Sequence, residues 1–288
     1  MCGLFGIIRT RPLNHIAEAE KMVRLFNALA ICSVHRGEDA TGVAVLAPED
    51  RTWVYKDVIP STTIVDTAVW RDFMAMTVTE ETAAMLGHTR YGTHGTNIPG
   101  NAHPFQFNNP KYGRLTGTHN GVIRNHDLMW AGYSGPYEND SANLFWLLSQ
   151  MPEHKFGEVL ETAWGSFALV FRRKNTVYMA RNYMSPLYVA QVKNYPYFVY
   201  ASEARIIREA SAALGLVTTR PRSLPPFKLF AVSLLTFRER VLTFGDNHLE
   251  EFICDLSEAE KVVPKRKRKG YISWLMDFVE QVTGASSY

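Results

Sequence analysis

Cys2 occupies the most distinctive chemical position in this 288-residue sequence. A small second residue permits removal of Met1, and the cysteine then carries a thiol and a free α-amine on one skeleton. Reference pKa values of about 8.5 for the thiol and about 7.7–8.0 for the amine lie close together. The amine can therefore act as general base for its own residue's nucleophile, directly or through a water. The apolar run Leu4-Phe5-Gly6-Ile7-Ile8 would hold that terminus in a core strand, with glycines letting other backbone approach. Read alone, the same cysteine also fits an incidental residue at a chain end, so its companions decide.

A thiolate attacking an amide carbonyl generates an oxyanion that needs hydrogen-bond donors. The Asn120 side chain and the Gly121 backbone N–H, read as a turn after a strand, can supply two; elsewhere the pair is an ordinary hairpin turn. Arg90 has the planar fork that grips a carboxylate, or it anchors its own loop. His88, His94, His103, His119 and His126 fall within about forty residues, but none forms the close pair of a helix-borne zinc site, so no metal is expected. His103, before Pro104, reads as a loop-ordering histidine rather than a proton shuttle. No G-x-G-x-x-G or Walker A pattern occurs, and no cofactor is expected.

These residues sit in ordered motifs. After MCGLFG come His35-Arg36-Gly37-Glu38-Asp39-Ala40-Thr41-Gly42, then Gly87-His88-Thr89-Arg90-Tyr91-Gly92-Thr93-His94-Gly95. Asn101-Ala102-His103-Pro104 and Thr118-His119-Asn120-Gly121 follow, with Gly165–Val170, Arg181-Asn182, Ser185-Pro186-Leu187 and Ala201–Ala204 beyond them. Together they resemble the class II glutamine amidotransferases, N-terminal-nucleophile hydrolases that take ammonia from glutamine. Within that family they look most like the glutaminase domains of glucosamine-6-phosphate synthases, over roughly residues 2–215. The resemblance implies a four-layer αββα sandwich, an α+β fold. It also implies Cys2 as nucleophile, Asn120 and Gly121 as oxyanion donors, and Arg90 on the substrate carboxylate. Asp140 matches the acidic position that takes the α-ammonium, while Thr93 and His94 line the same loop and help hold L-glutamine. Two departures stand out. Tyr91-Gly92 replaces a Trp-Ala of the subgroup, and Asp140-Ser141-Ala142 replaces Asp-Thr-Glu.

The elements that must position these residues follow from periodicity. Gly3–Arg9 reads as a buried strand, and Ile16–Ser33 as a helix with Asn14 as a possible cap. Strands are expected at Gly42–Ala47, Thr52–Val58 and Ala83–His88, with a helix over Asp66–Met76. The Arg90–Pro110 stretch reads as a long functional loop. Leu115–His119 is then a strand ending in a turn at Asn120-Gly121. Helices over Ser141–Ser149 and Phe156–Trp164 precede strands at Phe167–Arg172, Thr176–Arg181, Leu187–Val192 and Tyr197–Ala201, and Glu203–Ala213 is helical. Strands and helices in clusters argue against a simple βαβ parallel fold.

A composition shift near Thr218 suggests units at 1–217 (glutaminase-like), 218–263 (an extension packed on it) and 264–288 (basic linker and helix). Arg220–Pro226 reads as an extended linker, Lys228–Phe237 with Arg240–Phe244 as a hairpin, and Tyr271–Val282 as a small amphipathic helix able to dock on a partner. The roughly 70 residues after the glutaminase-like region are too few for the acceptor domains that such relatives carry. A separate ammonia-accepting synthase or transferase subunit is the expected partner.

Composition bounds the alternatives. With 46% hydrophobic and 20% charged residues the chain is neither disordered nor low-complexity. No apolar run is long enough for a spanning helix, and MCGLFGIIRT lacks the basic region of a secretory signal. Of 31 basic residues against 28 acidic ones, five are consecutive, Lys265 to Lys269; without them the count is 26 against 28. Basicity is thus local, with a weak nucleic-acid contact by Lys265–Lys269 the sharper reading of that run and a solvated linker the plainer one. Three cysteines, Cys2, Cys32 and Cys254, make no disulfide framework and fit a cytoplasmic protein. The expected function is glutamine hydrolysis with delivery of ammonia. A hydrolase of another amide and a non-catalytic binding protein using the fold and basic tail are the alternatives.

Overall fold

Runs of uninterrupted apolar residues such as Leu4–Ile8 belong to strands covered on both faces, because each face must meet other apolar surface. The computed structural model, which describes residues 2–92, 96–126 and 137–244, has this arrangement. In chain order the elements are β1 (Gly3–Arg9), α1 (Ile16–Cys32), β2 (Ala40–Leu46), β3 (Thr52–Asp57), α2 (Ser61–Ile64), α3 (Ala68–Thr77) and β4 (Ala84–Arg90). Next come β5 (Phe105–Asn109), β6 (Gly113–Ile123), α4 (Asp140–Gln150), α5 (Phe156–Thr162), β7 (Gly165–Arg173), β8 (Thr176–Arg181), β9 (Tyr188–Gln191) and β10 (Tyr197–Ala201). The described part closes with α6 (Ala204–Ala213), β11 (Arg222–Ser223), β12 (Lys228–Ser233) and β13 (Glu239–Thr243).

Two antiparallel sheets result. One runs β11-β9-β10-β1-β4-β2-β3 and the other β13-β12-β8-β7-β6-β5. Strand alternation separates three cores. On β1, Phe5 and Ile7 face α1 with Val43, Val45, Met85 and Val199, where they meet Phe26, Leu29 and Ile206. Leu4 and Ile8 face the other way, into a central layer with Ala44, Leu86, Ala168, Val170, Met179 and Tyr200. Across that layer, Phe167, Leu169 and Phe171 of β7 turn outward against Phe145, Leu148 and Phe156 of α4 and α5. The order is therefore helix, sheet, sheet, helix, the αββα sandwich expected above.

Several local expectations change. β6 does not end at His119: it continues to Ile123, and Asn120 and Gly121 pair with Ala168 and Phe167 of β7. The Asn-Gly turn signal loses because this segment has a long partner strand on which to continue. β5 arises inside the stretch read as a loop, with Phe105 and Phe107 alternating against polar neighbours on a sheet edge. The linker segment joins the first sheet, where Arg222 and Ser223 pair with Val189 and Tyr188. The Lys228–Thr243 hairpin forms and extends the second sheet through β8. His15, not Asn14, occupies the N-cap position of α1 and makes no side-chain cap bond, while the Asn14 N–H donates to Glu18 Oε2 at 2.8 Å. Among the described residues no helix is long and apolar enough to cross a membrane. The basic run Lys265–Lys269 and the helix read at Tyr271–Val282 lie outside the described residues, as do Thr93 and His94.

Candidate active site

Cys2 precedes β1, an interior strand of the first sheet, and β4 runs antiparallel beside it with Gly3 opposite Thr89. That register puts the end of β4 next to the thiol. The Tyr91 N–H donates to Cys2 Sγ at 3.3 Å. Arg90 follows Ala84, Leu86 and His88 on the strand face turned toward the second sheet, and it is buried. Its Nη1 donates to Asn97 Oδ1 at 3.1 Å, and its carbonyl accepts from the Asp39 N–H at 3.0 Å. Asp39 Oδ2 in turn accepts from the Gly92 N–H at 2.6 Å, so the His35–Gly42 motif braces the chain around Arg90. At Gly37, a Cβ would collide with the Arg90 backbone.

The second sheet supplies the opposite wall. Gly121 has φ +147°, a conformation open essentially to glycine, and a Cβ there would run into the Ser166 carbonyl. Asn120 is buried, with Nδ2 3.4 Å from Ser202 Oγ, which also accepts from the Leu4 N–H at 2.9 Å. Asp140 opens α4. Asn139 caps the helix by accepting from the Ser141 and Ala142 N–H groups at 2.9 and 3.3 Å. The Asp140 carboxylate instead accepts from the Ile123 N–H at 2.7 Å through Oδ2 and from the Ser141 hydroxyl at 3.3 Å through Oδ1.

One pocket is lined by Cys2, Arg90, Tyr91, His103, His119, Gly121, Asn139, Asp140 and Ser141. It gathers Cys2, Arg90, Gly121 and Asp140 from two sheets and a helix start, whereas the Asn120 side chain lies beside it, turned toward Ser202. The electrostatics agree with this proximity. Burial pushes the Cys2 thiol above its ordinary range, against the pull of the Tyr91 N–H and the Arg90 charge; Asp140 adds to the rise. A thiol so placed needs a base before it can attack.

Over 220 residues, 71% of the chain, the sequence is 31% identical to glutamine–fructose-6-phosphate aminotransferase (isomerizing) of Bacillus cereus. Over 200 residues, 65% of the chain, it is 32% identical to the Staphylococcus aureus protein of the same name. The chain belongs to the class II glutamine amidotransferases. It spans about a third of the length of these curated relatives, 32% and 30%. No family model matches the chain. The amidotransferase fold is also that of glutamine phosphoribosylpyrophosphate amidotransferase from B. subtilis (TM-score 0.64, 18% identity), covering 85% of this chain and 50% of that one. A glutamine aminotransferase class-II domain protein from Silicibacter pomeroyi shares it (TM-score 0.51, 14% identity), covering 84% and 98% of the two chains.

Sequence reasoning passed over Arg36. Its Nε donates to the Cys2 carbonyl at 3.0 Å, and its Nη1 pairs with Glu203 Oε1 at 2.7 Å. His35 Nε2 lies 3.3 Å from Glu203 Oε2. The His-Arg-Gly and Ala-Ser-Glu motifs were the visible signal, but that they meet on Cys2 is a property of the fold.

Proposed function

We propose that the chain hydrolyses the side-chain amide of free L-glutamine through a Cys2 thioester and delivers ammonia to a separate acceptor enzyme or subunit. The observation that carries this reading is the single pocket in which a thiol, a guanidinium and a carboxylate converge. Free glutamine carries one carboxylate and one ammonium at its α-carbon. Arg90 would take the first and Asp140 the second, with Thr93 and His94 assisting; a glutaminyl side chain within a protein offers neither charge.

Removal of Met1 frees the Cys2 amine, which accepts the thiol proton as sulfur attacks the amide carbon. The Asn120 Nδ2–H and Gly121 N–H receive the oxyanion. The amine returns its proton to the departing nitrogen, ammonia leaves, and a γ-glutamyl thioester remains. Water, activated by the same amine, releases glutamate and restores the thiol.

The test is intact mass and glutamine turnover on wild type and Cys2→Ala. Loss of Met1, with glutamate formed only when Cys2 is present, supports the reading. Met1 removed but glutamine untouched redirects it to another amide, and retained Met1 without turnover overturns it. Co-purification tests the separate acceptor.

A further inference from the structure

Three buried histidines converge behind the pocket: His88 on β4, His103 just before β5, and His119 on β6. Their hydrogen positions follow from their partners. The His119 carbonyl can only accept, so His88 Nε2, 3.0 Å away, carries the hydrogen. That same nitrogen lies 2.7 Å from His103 Nδ1. Two N–H groups cannot face each other at such a distance, so His103 Nδ1 accepts, sharing the His88 hydrogen with the carbonyl. Burial holds His103 neutral, its pKa well below the ordinary histidine range, and the charges of Lys56 and Arg90 act the same way. A neutral His103 with Nδ1 bare has its hydrogen on Nε2.

His103 Nε2 is enclosed and has no partner among the described residues. Buried donors without acceptors are rare enough to require an explanation. The residue is only 4% exposed, yet it lines the pocket with Cys2, Arg90 and Asp140. Its loop is fastened on both sides: Lys56 Nζ donates to the Ala102 carbonyl at 2.6 Å and to the Pro104 carbonyl at 3.3 Å. The ring is therefore set in place before any ligand arrives, with one donor left to give.

We infer that His103 Nε2–H is a second donor of the anion subsite, binding the substrate's α-carboxylate beside Arg90, with His88 as the residue that fixes its tautomer. This rests on the glutaminase reading above. It adds a binding role to the loop-ordering one expected of this histidine.

The test compares L-glutamine with its α-carboxamide, in which a neutral amide replaces the carboxylate. His103→Phe keeps a flat ring against Phe105, whose ring centroid lies 4.7 Å away, and deletes the donor. It should raise KM for glutamine about tenfold to a hundredfold, the loss expected for a hydrogen bond to a charged group. Turnover number should stay within about threefold, and KM for the α-carboxamide, whose neutral oxygen accepts a weaker hydrogen bond, should rise only about twofold to tenfold and always less than that for glutamine. His103→Gln, which keeps an N–H donor, should recover part of the loss. Equal changes on both substrates, or a fall in kcat at constant KM, overturn the inference. Should His103→Phe not fold, wild-type protein labelled with 15N-histidine decides: His103 must carry its proton on Nε2, and that resonance must move on glutamine saturation. A proton on Nδ1, or an unmoved resonance, overturns it. A wild type that neither binds nor turns over glutamine overturns the glutaminase reading itself, and the histidine's role with it.

Discussion

Arg36 holds the main chain of Cys2, its Nε donating to the Cys2 carbonyl at 3.0 Å, while Glu203 grips the same guanidinium at 2.7 Å. The carboxyl of Glu203 lies below the usual range: burial alone would raise it, but the hydrogen bond and charge of Arg36, with His35, outweigh that. A carboxylate at the start of α6 thus sets the orientation of the residue that carries the nucleophile. Glu203→Gln should keep the shape and lower kcat for glutamine roughly tenfold, about 1.4 kcal/mol of barrier, with little change in KM. Steady-state kinetics checks this, and an effect confined to KM would contradict it.

Gly121→Ala should be among the most damaging small substitutions in the chain. Its φ of +147° excludes a side chain, and the added Cβ meets the Ser166 carbonyl rather than a flexible side-chain end. A loss of about 3 kcal/mol or more is expected, read by denaturant or thermal unfolding. Val122→Ala, one residue on, serves as the ordinary comparison.

Acid should unfold the protein through its buried histidines. Burial lowers the His88 pKa to about 3, and His103 and His119 move in the same direction. The unfolded chain binds these protons near the reference of about 6.5, so it gains protons relative to the native state as pH falls. Stability should therefore be full above about pH 6.5 and decline toward pH 3, by on the order of 5 kcal/mol for His88 alone. Unfolding titrations at a series of pH values would reveal it. In His88→Gln the decline should be shallower, and an equal slope would refute the assignment.

The Cys2 thiol should resist alkylation near neutral pH while Met1 is retained. Burial raises it, and with Met1 in place the Cys2 nitrogen is a peptide amide that cannot take its proton. Rates with iodoacetamide, followed by mass at Cys2, should climb only at pH above the ordinary thiol range in that form. After Met1 removal the rise should move to lower pH, following the amine near its reference of about 8. Coincident profiles for the two forms would contradict the role of the amine.

The amino-acid sequence by itself determined much of this protein. The unbroken apolar runs of β1, β2 and β7 require cover on both faces, and that requirement leads to stacked sheets. The order of the short motifs around Cys2, Arg90 and Asn120-Gly121 carried the family, because their residue types answer to one reaction. What the chain could not disclose locally, tertiary structure decided. Asn120-Gly121 has the local signature of a turn, but the ladder to β7 draws it into a strand and sets Gly121 at the pocket wall. Asp140 opens α4, but Asn139 caps the helix and leaves the Asp140 carboxylate at the pocket. Arg36 and Glu203 are 167 residues apart, and His88, His103 and His119 come from three separate strands and loops. Periodicity fixes which face a residue takes on its own strand. Which distant groups then share a hydrogen, a charge or a pocket depends on how the two sheets stack, and no local pattern encodes that.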